Sequence, residues 1–228
     1  MRSLYAGMSL FFVCFTGVAK QPNIVFLFSD DHATQAIGAY GHELASLAPT
    51  PYLDRIADRG MRFDRCLVGN SIWGPSRATI LTGTYSHINK FFSNEHTKFD
   101  GSQPTFPKVL QRNGYKTALI GKWHLGRAEG LKPLDQGFDE WLGFLAGGAL
   151  FMDVDDPNVV NSMQDFDPID KYLWANLQFA VRYNDEERFA PDSHMTDYLS
   201  RQAVKAIEAN KNQPFFMYLA YNAPHTPL

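Results

Sequence analysis

A chain of 228 residues, 45% hydrophobic and 20% charged, has the length and composition of a globular protein able to bury a sizeable core. Its formal net charge of -3 leaves no basic footprint for nucleic acid or for an acidic membrane surface, and says nothing about substrate. The two cysteines, Cys14 and Cys66, exclude a disulfide framework once the leader carrying the first is removed.

The N-terminus reads as that leader. Met1 and Arg2 precede a largely apolar run over residues 4–15, and Thr16, Gly17, Val18 and Ala19 then offer small residues to a signal peptidase. The apolar run is shorter than the ~20 residues that a membrane-spanning helix needs. Residues 1–19 are therefore expected to be a cleaved signal peptide, with the protein secreted or periplasmic and without a stable membrane anchor. Cys66 lies in Phe63-Asp64-Arg65-Cys66-Leu67-Val68, which predicts a strand and a buried structural thiol.

Asn23-Ile24-Val25-Phe26-Leu27-Phe28 is a continuous apolar, β-rich run, as expected for a strand covered on both faces in a parallel α/β sheet. It ends at Ser29-Asp30-Asp31, and open α/β sheets carry their sites at the carboxyl ends of strands. Two adjacent carboxylates suit a hard cation such as Ca²⁺ or Mg²⁺, or else a solvated turn or helix cap. Thr50, Pro51 and Gly60 punctuate a helix whose Leu53, Ile56 and Ala57 form a stripe expected to be buried. Residues 61–68 read as the next strand.

Residues 70–83, Asn-Ser-Ile-Trp-Gly-Pro-Ser-Arg-Ala-Thr-Ile-Leu-Thr-Gly, follow. Pro75 and Gly83 frame a short helix over residues 76–82. Trp73 and Arg77 are four apart, so they can lie over one face, and a helix N-terminus presents N–H groups to an anion. His87 reads as a structural histidine and residues 91–101 as a loop. A helix over 105–115, closed by Gly114, feeds a strand over 116–121 that ends in Lys122-Trp123-His124-Leu125-Gly126. If the chain stays extended there, Lys122 and His124 share one face and Trp123 takes the other. A lysine beside a histidine suits holding an anionic oxygen and moving a proton.

Residues 147–170 contain Asp153, Asp155 and Asp156 but lack the glycine and closing glutamate of a calcium loop, so they read as a solvated loop. Tyr198, Leu199, Ala203 and Ile207 mark the apolar stripe of a helix over 194–210. Residues 214–221 form a last apolar strand, and His225 stands just past its end. The alternation of strands and helices, without internal repeats, implies one α/β domain.

Three of these segments together resemble the formylglycine-dependent sulfatases. Pro-Asn-Ile-Val-Phe-Leu-Phe-Ser-Asp-Asp looks like that family's first strand and metal pair. Gly74-Pro75-Ser76-Arg77, followed by Ala-Thr-Ile-Leu-Thr-Gly, is similar to its nucleophile signature, and Gly121-Lys122-Trp123-His124-Leu125-Gly126 to its second signature. The likeness covers almost all of residues 20–228. It implies an alkaline-phosphatase-like α/β sandwich, with a central mostly parallel sheet and helices on both faces. This chain would be the truncated, N-terminal portion of that catalytic domain.

The resemblance also implies a chemistry: hydrolysis of carbohydrate or aryl sulfate esters, with sulfated small molecules or glycans as partners. It assigns Asp30 and Asp31 to a Ca²⁺ (or Mg²⁺) ion shared with ligands from an absent second half. Arg77 would lower the pKa of the attacking hydroxyl, Lys122 and His225 would hold sulfate oxygens, and His124 would handle a proton. In that family a Cys or Ser two residues before the proline is oxidised to formylglycine by a separate generating enzyme. Here Trp73 occupies the position, and an indole donates a hydrogen bond but carries no nucleophile. The expectation is a sulfatase that is inactive as written. The alternatives are a non-catalytic relative that binds sulfated glycans and a related phosphodiester or phosphonate hydrolase.

Overall fold

The structure is a computed structural model that describes residues 20–159 and 168–226; the signal-peptide expectation for residues 1–19 lies outside them. Strands β1 (Ile24–Phe28), β2 (Lys116–Lys122), β3 (Glu140–Phe144), β4 (Arg182–Tyr183) and β5 (Phe215–Ala220) form one sheet in the order β1-β5-β2-β3-β4. The pairings are parallel except for β3 with β4. Six helices accompany it among the described residues: α1 (Pro51–Arg59), α2 (Trp73–Thr82), α3 (Ser86–Asn89), α4 (Phe106–Arg112), α5 (Pro168–Asn176) and α6 (Met195–Asn210). None is long and apolar enough to cross a membrane.

The last strand in sequence is the centre of the sheet. Every residue of β5 is buried, and the two-residue period of a strand sends successive side chains to opposite layers. Phe216, Tyr218 and Ala220 join Leu119, Trp123, Phe138 and Trp141 beneath Ala78 and Leu81 of α2, with Phe106 and Leu110 of α4 against the same layer. Phe215, Met217 and Leu219 join Ile120 beneath Met195, Tyr198, Leu199 and Ala203 of α6. The result is the expected sandwich, with helices on both faces of a mostly parallel sheet. At Gly121, φ is +106°, and a Cβ would lie 2.0 Å from the carbonyl oxygen of Ala220. Only glycine lets β2 lie this close to β5 at the end nearest the site.

Several sequence expectations fail, and most fail for one reason. β1 is an edge strand: Ile24, Phe26 and Phe28 pack onto the core, while Val25 and Leu27 are 42% and 50% exposed. Its second face is therefore not covered. Residues 61–68 enter no ladder; Phe63, Leu67 and Val68 are exposed, and Cys66 is an exposed free thiol rather than a buried one. The stripe of α1 is not buried either, with Leu53 and Ile56 both exposed. The helix is held by polar contacts instead: Asp54 Oδ1 accepts from Ala39 N at 2.7 Å, and Thr50 Oγ1 from Gly38 N at 2.8 Å. An apolar pattern records a face suited to burial, but no described element lies over these.

Two boundaries also move. α2 begins at Trp73, with Ile72 as its N-cap, so Pro75 sits in its first turn. Residues 168–170, expected in the loop, open α5, where proline is tolerated at the first position because it has no N–H to leave unpaired. The loop expectation holds for residues 153–158, where Asp153 and Asp156 accept from backbone N–H groups two residues on.

Leu119 is fully buried between β5 and β3. Leu119→Ala is expected to lower the unfolding free energy by about 3 kcal/mol through the lost transfer energy and the cavity left behind. Urea denaturation followed by circular dichroism measures it, and a loss under about 1 kcal/mol would contradict this packing.

Candidate active site

Because β1, β5 and β2 are adjacent and parallel, their carboxyl ends open side by side. Two backbone bonds lace the exits together: Tyr221 N donates to Phe28 O at 2.8 Å, and Asp30 N to Ala223 O at 3.0 Å. Asp30 and Asp31 thus leave β1 beside the segment that carries His225, with β2's Lys122 one strand over. The chain does not stay extended through His124, whose φ is +62°. That left-handed turn lets Trp123 enter the core, its Nε1 donating to Leu131 O at 2.8 Å, while Lys122 and His124 both face the site.

α2 delivers the remaining two residues. Gly74 N donates to Asn94 Oδ1 at 3.2 Å, and a Cβ on Gly74 would stand 2.6 Å from that oxygen and 2.9 Å from the Phe91 ring. The contact seats the first turn of α2 on residues 91–94. Trp73 and Arg77, one turn apart, then project into the site. Arg77 is 1% exposed; its Nη1 donates to Lys122 O at 3.0 Å, and its guanidinium lies 4.9 Å from the Phe28 ring centre.

Asp30 is the electrostatic hub. Its Oδ2 is hydrogen-bonded and ion-paired with Lys122 Nζ, and its Oδ1 lies 3.5 Å from Arg77 Nη2, an ion pair without hydrogen-bond geometry. All three side chains are buried. Burial, and then the charge of Arg77, pushes the Lys122 ammonium down from its ordinary value to about 8, against the pull of Asp30. The same causes, burial followed by the charges of Lys122 and Arg77, push His124 down to about 3. His124 is therefore a neutral imidazole at physiological pH.

Trp73 stands in the middle. Its Nε1 donates to Asp31 Oδ2 at 3.3 Å, Lys122 Nζ lies 5.5 Å from its ring centre, and the rings of His225 and His124 are 5.1 and 6.0 Å away. His225 is buried, with Nε2 3.6 Å from Asp31 Oδ2 and Nδ1 against Thr226 O. Beside the indole is a cavity of about 340 Å³ lined by Asp30, Asp31, His32, Ser76 and Arg77 among others.

The sequence thus predicted seven site residues, and the structure brings all seven together. It adds three that motif reading passed over. Phe28 supports Arg77, Asn94 receives Gly74 N, and Tyr218 has a buried, unpartnered hydroxyl pushed up to about 12 by burial. Phe28 was legible only as strand, and Tyr218 only as core.

The donor set separates two kinds of ligand. Arg77 Nε and Nη2, His124 Nδ1 and His225 Nε2 are buried without hydrogen-bond partners, which suits an oxygen-rich anion. A hard cation needs about six to eight oxygen ligands. Here Asp30 is committed to Lys122 and Arg77, and among the described residues no group of three or more His, Cys, Asp or Glu is placed to hold a metal. These residues alone do not complete a calcium site.

Comparison with known proteins places this geometry. The family model described as Sulfatase matches residues 22–228. The chain belongs to the sulfatase family. It is 41% identical over 207 residues to the N-acetylglucosamine-6-O-sulfatase of Bacteroides thetaiotaomicron, covering 90% of this chain and 31% of that protein. Among solved structures it superposes on Ps i-CgsB in complex with k-i-k-neocarrahexaose with a TM-score of 0.73 and 32% identity, over 91% of this chain and 46% of that one. BT4656 in complex with its substrate D-glucosamine-2-N,6-O-disulfate gives a TM-score of 0.68 and 40% identity, over 90% and 35%. The chain spans about a third of the curated sulfatase's length and under half of either solved chain. Asp30, Asp31, Lys122, His124 and His225 stand at the carboxyl ends of three parallel strands of this fold.

Two outcomes follow from the buried charges. Asp30→Asn leaves Lys122 and Arg77 buried without a counter-charge and is expected to cost about 3–5 kcal/mol of stability, whereas Asp30→Asn with Lys122→Met recovers part of it. Urea titration of the two single variants and the double variant tests this; additive losses would refute the pair. His124 takes up its proton at lower pH in the folded than in the unfolded chain. Stability linked to it is therefore present above the ordinary value of 6.5 and is lost as pH falls towards about 3. By imidazole NMR, His124 should show no titration between about pH 5 and pH 8.

Proposed function

We propose that this chain is the anion-binding N-terminal portion of a secreted or periplasmic carbohydrate sulfatase, and that Trp73 leaves it unable to hydrolyse the ester. One observation carries the reading. In the position where the resemblance puts the oxidised Cys or Ser, an indole fills the space between Asp31, Lys122, His124 and His225. No other side chain at that point offers a nucleophile, because Ser71 and Ser76 are out of register with it.

The remaining groups fit the recognition of a sulfate ester. Arg77 and Lys122 are themselves buried, so their positive charge acts more strongly than at a surface. His225 Nε2 adds a directional group, and His124, held neutral, offers a hydrogen-bonding ring nitrogen to the ester. Asp30 and Asp31 would face a calcium ion if ligands from a longer protein completed its shell; that ion would supply Lewis-acid stabilisation of sulfate charge. The sulfated-sugar substrate class is supported by the N-acetylglucosamine-6-O-sulfatase relative and by the two glycan complexes.

Purified, sequence-verified protein is expected to show no turnover of aryl or sugar sulfates, with or without added calcium. Metal-dependent release of sulfate above a no-enzyme control would overturn the assignment of Trp73 as the block. Conversely, Trp73→Cys restores the Cys-x-Pro-x-Arg spacing. Co-expressed with a formylglycine-generating enzyme, that variant should acquire an aldehyde, seen by intact-mass spectrometry and hydrazide labelling. Complete absence of the aldehyde would mean that this segment is not read as the family's signature.

A further inference from the structure

A second cationic feature lies outside the catalytic cluster. Arg127, Arg182 and Arg188 line one cleft of about 190 Å³, with Asn176 and Gln178 as its polar neighbours and no acidic side chain among its lining residues. Arg188 Nη1 donates to Gln178 Oε1 at 2.7 Å, and no ion pair among the described residues involves any of the three arginines. The backbone forces two of them together. Val181 and Phe189 pair across a hairpin, exchanging both N–H···O bonds at 2.9 Å, so Arg182 and Arg188 stand one step further along on its opposite arms. Like charges facing each other across a hairpin are destabilising. Three guanidiniums line one cleft without an ion pair to any carboxylate among the described residues, and each offers a planar fork of donors to an oxyanion.

The cleft adjoins a cavity that reaches His124. A neighbouring cavity of about 420 Å³ shares Arg127, Leu145 and Ala146 with it and is lined on its other side by His124. Gly147, between the two, sits so close to the His124 ring that a Cβ there would lie 2.7 Å from it. The arginine cleft and the Trp73 cluster thus both border one cavity, lined by Arg127 of the cleft and His124 of the cluster.

We infer that the Arg127–Arg182–Arg188 cleft is a subsite for a second anionic group, sulfate or carboxylate, on a polyanionic glycan whose first sulfate occupies the central site. This rests on the sulfated-glycan reading above. It makes the chain selective for multiply charged sugars over singly sulfated ones, independently of hydrolysis.

Calorimetry on the chain as it stands tests the inference. N-Acetylglucosamine 6-sulfate supplies one anion and D-glucosamine-2-N,6-O-disulfate two sulfates; a glucuronate-linked, singly sulfated disaccharide supplies a carboxylate as the second. At least one doubly anionic ligand should bind about tenfold tighter than the singly sulfated sugar, the value of one charge-assisted contact, and which one does so identifies the second group. Arg182→Gln combined with Arg188→Gln should abolish that advantage and leave the affinity for the singly sulfated sugar unchanged. If circular dichroism shows that this variant has lost its fold, Arg127→Gln on the exposed loop replaces it with the same expectation. Equal affinities for all three ligands, or an advantage that survives the substitutions, would overturn the subsite. A parallel titration with inorganic sulfate, read by amide NMR shifts at residues 180–182, separates the two readings. Shifts there without sugar binding would retain the cleft and remove the glycan assignment, whereas no shifts and no sugar binding would remove both.

Discussion

The structure turns on a single buried carboxylate held by two cations. Asp30 is 5% exposed at the end of an edge strand, yet it faces both Lys122 and Arg77, which are more deeply buried still. One negative charge faces two positive charges below the surface, and the more exposed Asp31 adds a second negative charge beside His225. Desolvating such a set is costly, and the attraction within it offsets the cost only when the geometry is held. The sheet order supplies that geometry. β5 must lie between β1 and β2 for Asp30 and Lys122 to meet over its end, and Gly121 must lack a side chain for the strands to close up there. Burial and the two cations beside it keep the His124 imidazole neutral.

Much of this arrangement was legible in the sequence, and the reasons are specific. Residues 214–221 are an unbroken apolar run because β5 is buried on both faces, and the ends of β5 and β2 carry polar groups because the site opens there. Pro75 and Gly83 bracket α2 whatever surrounds it. What misled was periodicity without a partner. Val25, Leu27, Leu53, Ile56 and the apolar positions of 61–68 carry the pattern of covered faces, but no described element covers them, and pattern alone cannot say which segment would. The turn at His124 was hidden because the left-handed conformation of a non-glycine residue has no simple sequence signal. The arginine cleft was invisible for a different reason. Its members come from a loop and from two arms of a hairpin, and they meet only through the antiparallel register of β4 on β3 and the Val181–Phe189 bridge.

Trp73 shows how little of the architecture depends on the reacting atom. The indole is accommodated, not merely tolerated: it donates to Asp31, lies under the Lys122 ammonium and contacts two imidazoles. A cation over an indole face is favourable, more so when desolvated. The indole forms an aromatic wall, and beside it Asp30, Arg77 and Lys122 are bound to one another rather than to the residue at position 73.

That independence changes what the retained residues mean. Asp30, Arg77 and Lys122 can be retained for stability alone, because deleting Asp30 would leave both cations buried without a counter-charge at a penalty of about 3–5 kcal/mol, comparable with the whole stability of a modest domain. Their presence is evidence for the sulfatase fold and for anion binding, but it is weak evidence for turnover. His124 and His225 are different. Neither forms a hydrogen-bonded ion pair that the fold needs, and each keeps a buried ring nitrogen without a hydrogen-bond partner. A buried polar atom without a partner costs stability, so these two nitrogens add nothing to the fold and are the groups left available to a polar ligand.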